Sequence, residues 1–156
     1  MKLLLALALL FLPFAKQTTN EFSQKYKSHE SGGYIVRPGI VMNVKSTANG
    51  DACEAGIKPL ASTASKTFPK DYDSPVMPSE TAKEIVGEII PEAKRGILIG
   101  RIVTKNGRIS LETSGYEKVT ITLETRCKEG GGGTYSAGIR WIRDECPDNK
   151  PLKWND

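Results

Sequence analysis

Residues 126–146 read RCKEGGGGTYSAGIRWIRDEC, and the interpretation of this stretch decides the fold. Behind the glycines Gly130–Gly133, the residues Tyr135, Ala137, Ile139 and Trp141 alternate with Ser136, Gly138 and Arg140. Ahead of them, in YEKVTITLETR, Val119, Ile121 and Leu123 alternate with Lys118, Thr120, Thr122 and Glu124. A period of two is the signature of a half-buried strand, so the two runs are expected to form a hairpin with the glycines at its tip. A phosphate-cradling loop would need Lys-Ser/Thr after the glycines and a helix opening there; here Thr134-Tyr135 opens a strand.

That hairpin turns the cysteines into a distance problem. Symmetry about the glycines places Cys127 opposite Ser136 and Cys146 opposite Glu117. The two sulfurs then stand about ten residues apart on a ladder rising ~3.3 Å per residue, roughly 30 Å. A disulfide needs Cα atoms within about 7 Å, so Cys127 does not reach Cys146. The remaining cysteine, Cys53, becomes the partner of one of them. Cys53–Cys127 would join two neighbouring hairpin tips, and Cys53–Cys146 would tie the start of the domain to its end. The odd thiol is either buried and inert or joins two chains as a disulfide-linked homodimer.

Working outward toward the N-terminus, two Asn-Gly pairs lie between β-branched runs. Asn49-Gly50 predicts a hairpin of Ile40–Ser46 against residues 52–60, and Asn106-Gly107 predicts a second. In ILIGRIVTKNGRISLET, residues 97–104 also carry a helical spacing at Leu98, Ile102 and Val103; strand is the preferred reading. Ser114-Gly115 is expected to turn the chain into the next strand. The amphipathic helix is clear in PSETAKEIVGEIIPEAKRG. Ala82, Ile85, Val86, Ile89 and Ile90 share one face, Ser79 is placed as N-cap, and Pro91 ends the helix or begins a short turn. Between lies ASTASKTFPKDYDSPVM, residues 61–77, of loop composition.

The whole chain is 156 residues with a formal net charge of +4. It opens on Lys2 and an unbroken apolar run, Leu3 to Phe14, too short to span a bilayer and without a polar face. Residues 1–17 therefore read as a signal peptide, with cleavage after Ala15 or after Gln17. Loss of Lys2 brings the charge to +3, or to +2 if Lys16 goes too. Residues 18–33 are polar and read as a flexible leader, residues 34–146 as a single domain, and residues 147–156 as a surface tail. No second run is long enough to span a membrane, and Lys and Arg are interleaved with acids rather than striped. The expectation is a secreted or periplasmic protein with no membrane span after cleavage and no nucleic-acid partner.

Chemistry-bearing motifs are sparse. The only histidine, His29, falls in the leader, and three widely spaced cysteines do not make a zinc site. No catalytic, metal or cofactor residues are assigned. Asp71 and Asp73 are too few for a calcium loop. Glu112, Glu117 and Glu124 lie on or near adjacent strands and carry the alternative of a carboxylate-dependent hydrolase. Tyr135 and Trp141, with Phe68 and Tyr72 from the long loop, form a candidate aromatic contact patch.

The segments VRPGIVMNV, GDACEAGIKP, MPSETAKEIVGEIIPEAKRG and GYEKVTI with a closing cysteine resemble a group of uncharacterised bacterial exported proteins. That resemblance implies export and a shared fold, and another cysteine near the position of Gly107, which this chain lacks. PEAKRGILIGRIVTKNGRIS is similar to the C-terminal domain of TonB-type energy transducers, whose membrane helix and proline-rich spacer are not found here; that likeness implies an interaction domain. The expected fold class is α+β, a small antiparallel sheet of two or three hairpins with one amphipathic helix packed on it. The expected function is a non-catalytic binding or envelope-associated protein with an unknown protein or envelope partner.

Overall fold

The structure is a computed structural model that describes residues 17–60, 75–128 and 131–146. The apolar run ahead of Gln17, the loop residues 61–74 (with Phe68, Asp71, Tyr72 and Asp73) and the tail 147–156 lie outside the described residues. In chain order the elements are α1 (Thr19–Lys25), β1 (Lys27–Ser28), β2 (Tyr34–Arg37), β3 (Ile40–Ser46), β4 (Ala52–Pro59), α2 (Ser79–Ile89), α3 (Glu92–Arg95), β5 (Leu98–Asn106), β6 (Ile109–Tyr116), β7 (Val119–Lys128) and β8 (Gly131–Trp141).

The small sheet expected from the sequence is corrected by this topology. All strands of the described residues belong to one 8-stranded antiparallel sheet in the order β1-β2-β3-β4-β8-β7-β6-β5, and the fold is dominated by that sheet. The joint is the pairing of β4 with β8, Ala55 opposite Ile139 and Ile57 opposite Ala137, which fuses two meanders into one. Local periodicity identifies strands but carries no information on which distant strands pair.

One face of the sheet carries the core. Met42, Ile57 and Ala137 stand side by side across β3, β4 and β8. Ile139 is flanked by Ala55 and Ile121 in the next row. Over this face lies α2, burying Ala82, Ile85, Val86 and Ile89. Each fully buried isoleucine contributes about 1.5–3 kcal/mol, so the helix is held by its stripe. Its N-cap is Pro78 and not Ser79; the Ser79 hydroxyl instead accepts from Thr134 Oγ1 at 3.2 Å. Arg37 pairs with Glu88, fastening β2 to the outer side of α2.

Residues 18–33 are not an unstructured leader. Thr18 and Glu21 form a reciprocal capping box that starts α1, a T-x-x-E signature present in the sequence. Phe22 is buried among Tyr34 and Trp141, at ring separations of 6.1 and 6.5 Å. Gln17, the last residue assigned to the signal peptide, is also engaged: its carbonyl accepts from Ala52 N–H at 3.0 Å, its side chain accepts from Trp141 Nε1 at 3.0 Å, and its amide donates to Ile89.

The hairpins are present with shifted details. β5 is strand throughout, and its turn to β6 is Gly107-Arg108, with Gly107 at φ 58 in the left-handed region that glycine enters freely. Ser114-Gly115 does not turn the chain: β6 runs on to Tyr116 and the turn falls at Glu117-Lys118. Gly131–Gly133 are strand rather than tip, for β8 begins at Gly131 and Cys127 faces Gly132 instead of Ser136. A side chain at Gly132 would lie 2.5 Å from the Arg126 carbonyl, so the strand needs glycine there.

The disulfide is Cys53–Cys146, with Cα atoms 5.6 Å apart. Beyond Trp141 the chain leaves the ladder, and Cys146 N–H donates to the Arg143 carbonyl in a turn. That turn returns the cysteine to β4, the neighbour of β8. Cys127 is free and exposed, not buried.

Candidate interaction surface

Register alignment carries rows of side chains across the sheet to its β5 edge. On the core face one row runs Met42, Ile57, Ala137, Leu123, Glu112, Val103. The next runs Val44, Ala55, Ile139, Ile121, Ser114, Arg101. The buried apolar members end at β7; from β6 outward the rows change to Glu112, a buried but polar Ser114, Arg101 and an exposed Val103. The hydrophobic cover of α2 therefore stops short of the β5–β6 hairpin.

The opposite face offers Ile102, Thr113, Thr122, Gly138 and Gly56 in one row, with Thr104, Leu111, Glu124 and Ser136 beside it. Thr113 and Thr122 share a hydroxyl hydrogen bond at 3.3 Å, which confirms their common side. A shallow groove of about 320 Å³ lies over Thr113, Thr120 and Thr122, between Leu111 and the pair Glu54 and Arg140.

The result is a hairpin with large apolar side chains exposed on both faces. Ile97 is 71% exposed, Val103 and Ile99 52%, Ile102 48% and Leu98 47%, and Ile109 and Leu111 complete the set. Interleaved with them are Arg101 and Lys105. Arg101 pairs with Glu112 at 3.3 Å and its Nε approaches the Ser114 hydroxyl at the same distance. Lys105 stands opposite Ser110 and has no acid across the strand.

No protein-family model, curated protein or solved structure matches this chain.

The aromatic residues singled out in the sequence are not brought together by the described structure. Trp141 is 3% exposed and belongs to the core. Tyr135 falls where the β7–β8 register shifts, under the Arg126 guanidinium at 3.5 Å from its ring centroid. Phe68 and Tyr72 lie outside the described residues. The carboxylates also separate. Glu112 is on the core face with Arg101, Glu124 on the other with Arg126 at 2.9 Å, and Glu117 accepts from the Ile97 N–H at 2.9 Å. Two acids on opposite sides of a sheet cannot flank one glycosidic bond. Among the described residues no group of three or more His, Cys, Asp and Glu is placed to hold a metal ion.

His29 lies in a second groove of about 360 Å³ with Thr19, Ser23, Ser28, Tyr34 and Asn43. Its Nδ1 is 2.6 Å from the Ser31 hydroxyl and also accepts from the Ser31 N–H, a local turn rather than a relay. Sequence reasoning singled out none of the hairpin's apolar residues as a surface. A usable signal was there, since Ile97, Leu98 and Ile99 are consecutive and a half-buried strand supplies apolar residues to one side only.

Proposed function

We propose that this chain is an exported, non-catalytic binding domain that docks a protein partner through the β5–β6 hairpin. The observation carrying this reading is the hairpin itself, with Ile102 and Val103 on opposite faces, each about half exposed and neither covered by α2. Contiguous exposed apolar side chains of this kind mark interaction sites on soluble proteins. Export is supported by the apolar run at the N-terminus and by the Cys53–Cys146 bond, which persists in oxidising compartments. No described helix is long and apolar enough to cross a membrane. The separated carboxylates weigh against the hydrolase alternative.

The test is site-specific photo-crosslinking in the cell that makes the protein. A benzophenone amino acid replaces Val103 or Ile109, with position 83 on the exposed side of α2 as control. A discrete adduct at 103 and 109 and none at 83 is the expected result. Equal labelling at all three positions, or none at the hairpin, rejects it.

A further inference from the structure

Resting on that reading, we infer that β5 is completed by strand addition: an extended segment of a partner protein, carrying acidic residues spaced four apart with apolar residues between, pairs along the β5 edge. β5 is the last strand of the sheet and is 9 residues long, and among the described residues β6 is its only neighbour. The other edge, β1, is 2 residues long and offers no comparable ladder. An edge strand presents a row of unpaired backbone N–H and C=O groups, and a long, exposed, apolar one is a template for another strand.

The side chains select the occupant. On the core side β5 presents Arg101, Val103 and Lys105; on the other it presents Ile102 and Thr104. Directly opposite residues of an antiparallel pair share a face, and opposite charges there are favourable while like charges are not. The matching segment therefore places acids against Arg101 and Lys105 and apolar groups against Val103 and Ile102. A second copy of this chain meets the opposite situation. Antiparallel β5–β5 pairing centred on Arg101 sets that residue against itself, and pairing centred on Val103 sets Arg101 against Lys105. Pairing centred on Ile102 leaves Arg101 diagonal to both Arg101 and Lys105 of the other copy. Every central register gathers cations, so the same residues that attract an acidic strand resist self-association. A lipid surface is disfavoured too, because hydrocarbon leaves the open edge of β5 unsatisfied.

The test titrates the full chain, by fluorescence anisotropy, with a labelled peptide of core Glu-Thr-Tyr-Val-Glu and with a twin bearing lysine for both glutamates. The acidic peptide should bind on the order of tenfold more tightly. Hydrogen exchange should slow at amides within residues 98–106, a signature of strand pairing that loose adhesion does not produce. Arg101→Glu with Lys105→Glu should reverse the preference. Lys105→Glu alone, which breaks no ion pair among the described residues, should reduce it. Equal binding of both peptides overturns the charge rule and leaves hairpin docking standing. No binding of either up to about 1 mM overturns strand addition, and the crosslinks then judge the hairpin reading separately. A dimer abolished by β5 substitutions, or binding to phosphatidylglycerol–phosphatidylcholine vesicles, replaces the inferred occupant and overturns it as well.

Discussion

The indole N–H of Trp141 donates to the side-chain oxygen of Gln17, 3.0 Å away across 124 residues of sequence. It joins the last core-facing position of β8 to Gln17, the residue ahead of the α1 N-cap Thr18. The Gln17 carbonyl is taken up by Ala52 N–H, so Gln17 is part of the folded domain. Trp141→Phe removes the donor and should cost about 1–2 kcal/mol in urea unfolding, the worth of a largely buried hydrogen bond plus an orphaned partner. If a signal peptide is removed, its cleavage should leave Gln17 in place; the intact mass of the mature protein reads this directly. A mass beginning at Thr18 would contradict the role given to Gln17.

The Cys53–Cys146 bond closes a separation of 93 residues. Reduction, or Cys53→Ser, should destabilise the fold by roughly 2–5 kcal/mol. Cys127→Ser should leave the denaturation midpoint within about 0.5 kcal/mol, since that thiol is exposed. Urea curves with and without reductant separate the two.

Arg37 and Glu88 predict a pH signature. The hydrogen bond from Arg37 holds the Glu88 carboxyl below its ordinary value of 4.5, with desolvation opposing it. A carboxylate whose folded pKa is depressed adds stability above its unfolded pKa and loses it as pH falls through the folded one. The stability difference between the wild type and Glu88→Gln should therefore be present at neutral pH, shrink below about pH 4.5 and vanish in stronger acid. Both side chains are at least a third exposed, at 33% and 40%, so the difference should stay within about 1 kcal/mol. Denaturation midpoints measured across that range test both sign and size.

The Tyr26 hydroxyl is buried and has no hydrogen-bond partner among the described residues. Tyr26→Phe removes an unsatisfied polar group while keeping the ring, and should raise stability by about 0.5–1 kcal/mol. A loss of stability would reveal a partner for that hydroxyl.

Ile102→Thr and Val103→Thr should change stability by no more than about 0.5 kcal/mol, because both side chains are about half exposed. Ile85→Ala, on the buried face of α2, should cost about 2–5 kcal/mol. Similar losses at the three positions would place the hairpin in the core and remove the docking reading.

Much of the local structure was legible. Alternation in residues 119–124 and the stripe Ala82, Ile85, Val86, Ile89 marked β7 and α2, because a half-buried strand and a packed helix impose periods the chain must satisfy. The turn residues located the β3–β4 and β5–β6 hairpins. The start of α1 was also written in Thr18 and Glu21, where a polar composition concealed a capping box. The exposed apolar hairpin was harder to see, since Val103 and Ile102 look like any strand residues until the reach of α2 is known.

By itself, then, the sequence determined which segments become strand or helix and which apolar stripes need burial, because those depend on spacing along the chain. Tertiary structure decided the rest. Pairing of β4 with β8 made one sheet of two meanders and brought Cys146 to Cys53 rather than Cys127. The limited span of α2 left the β5–β6 hairpin uncovered. Both are contacts between residues far apart in sequence, set by which surfaces pack together once every stripe competes for cover.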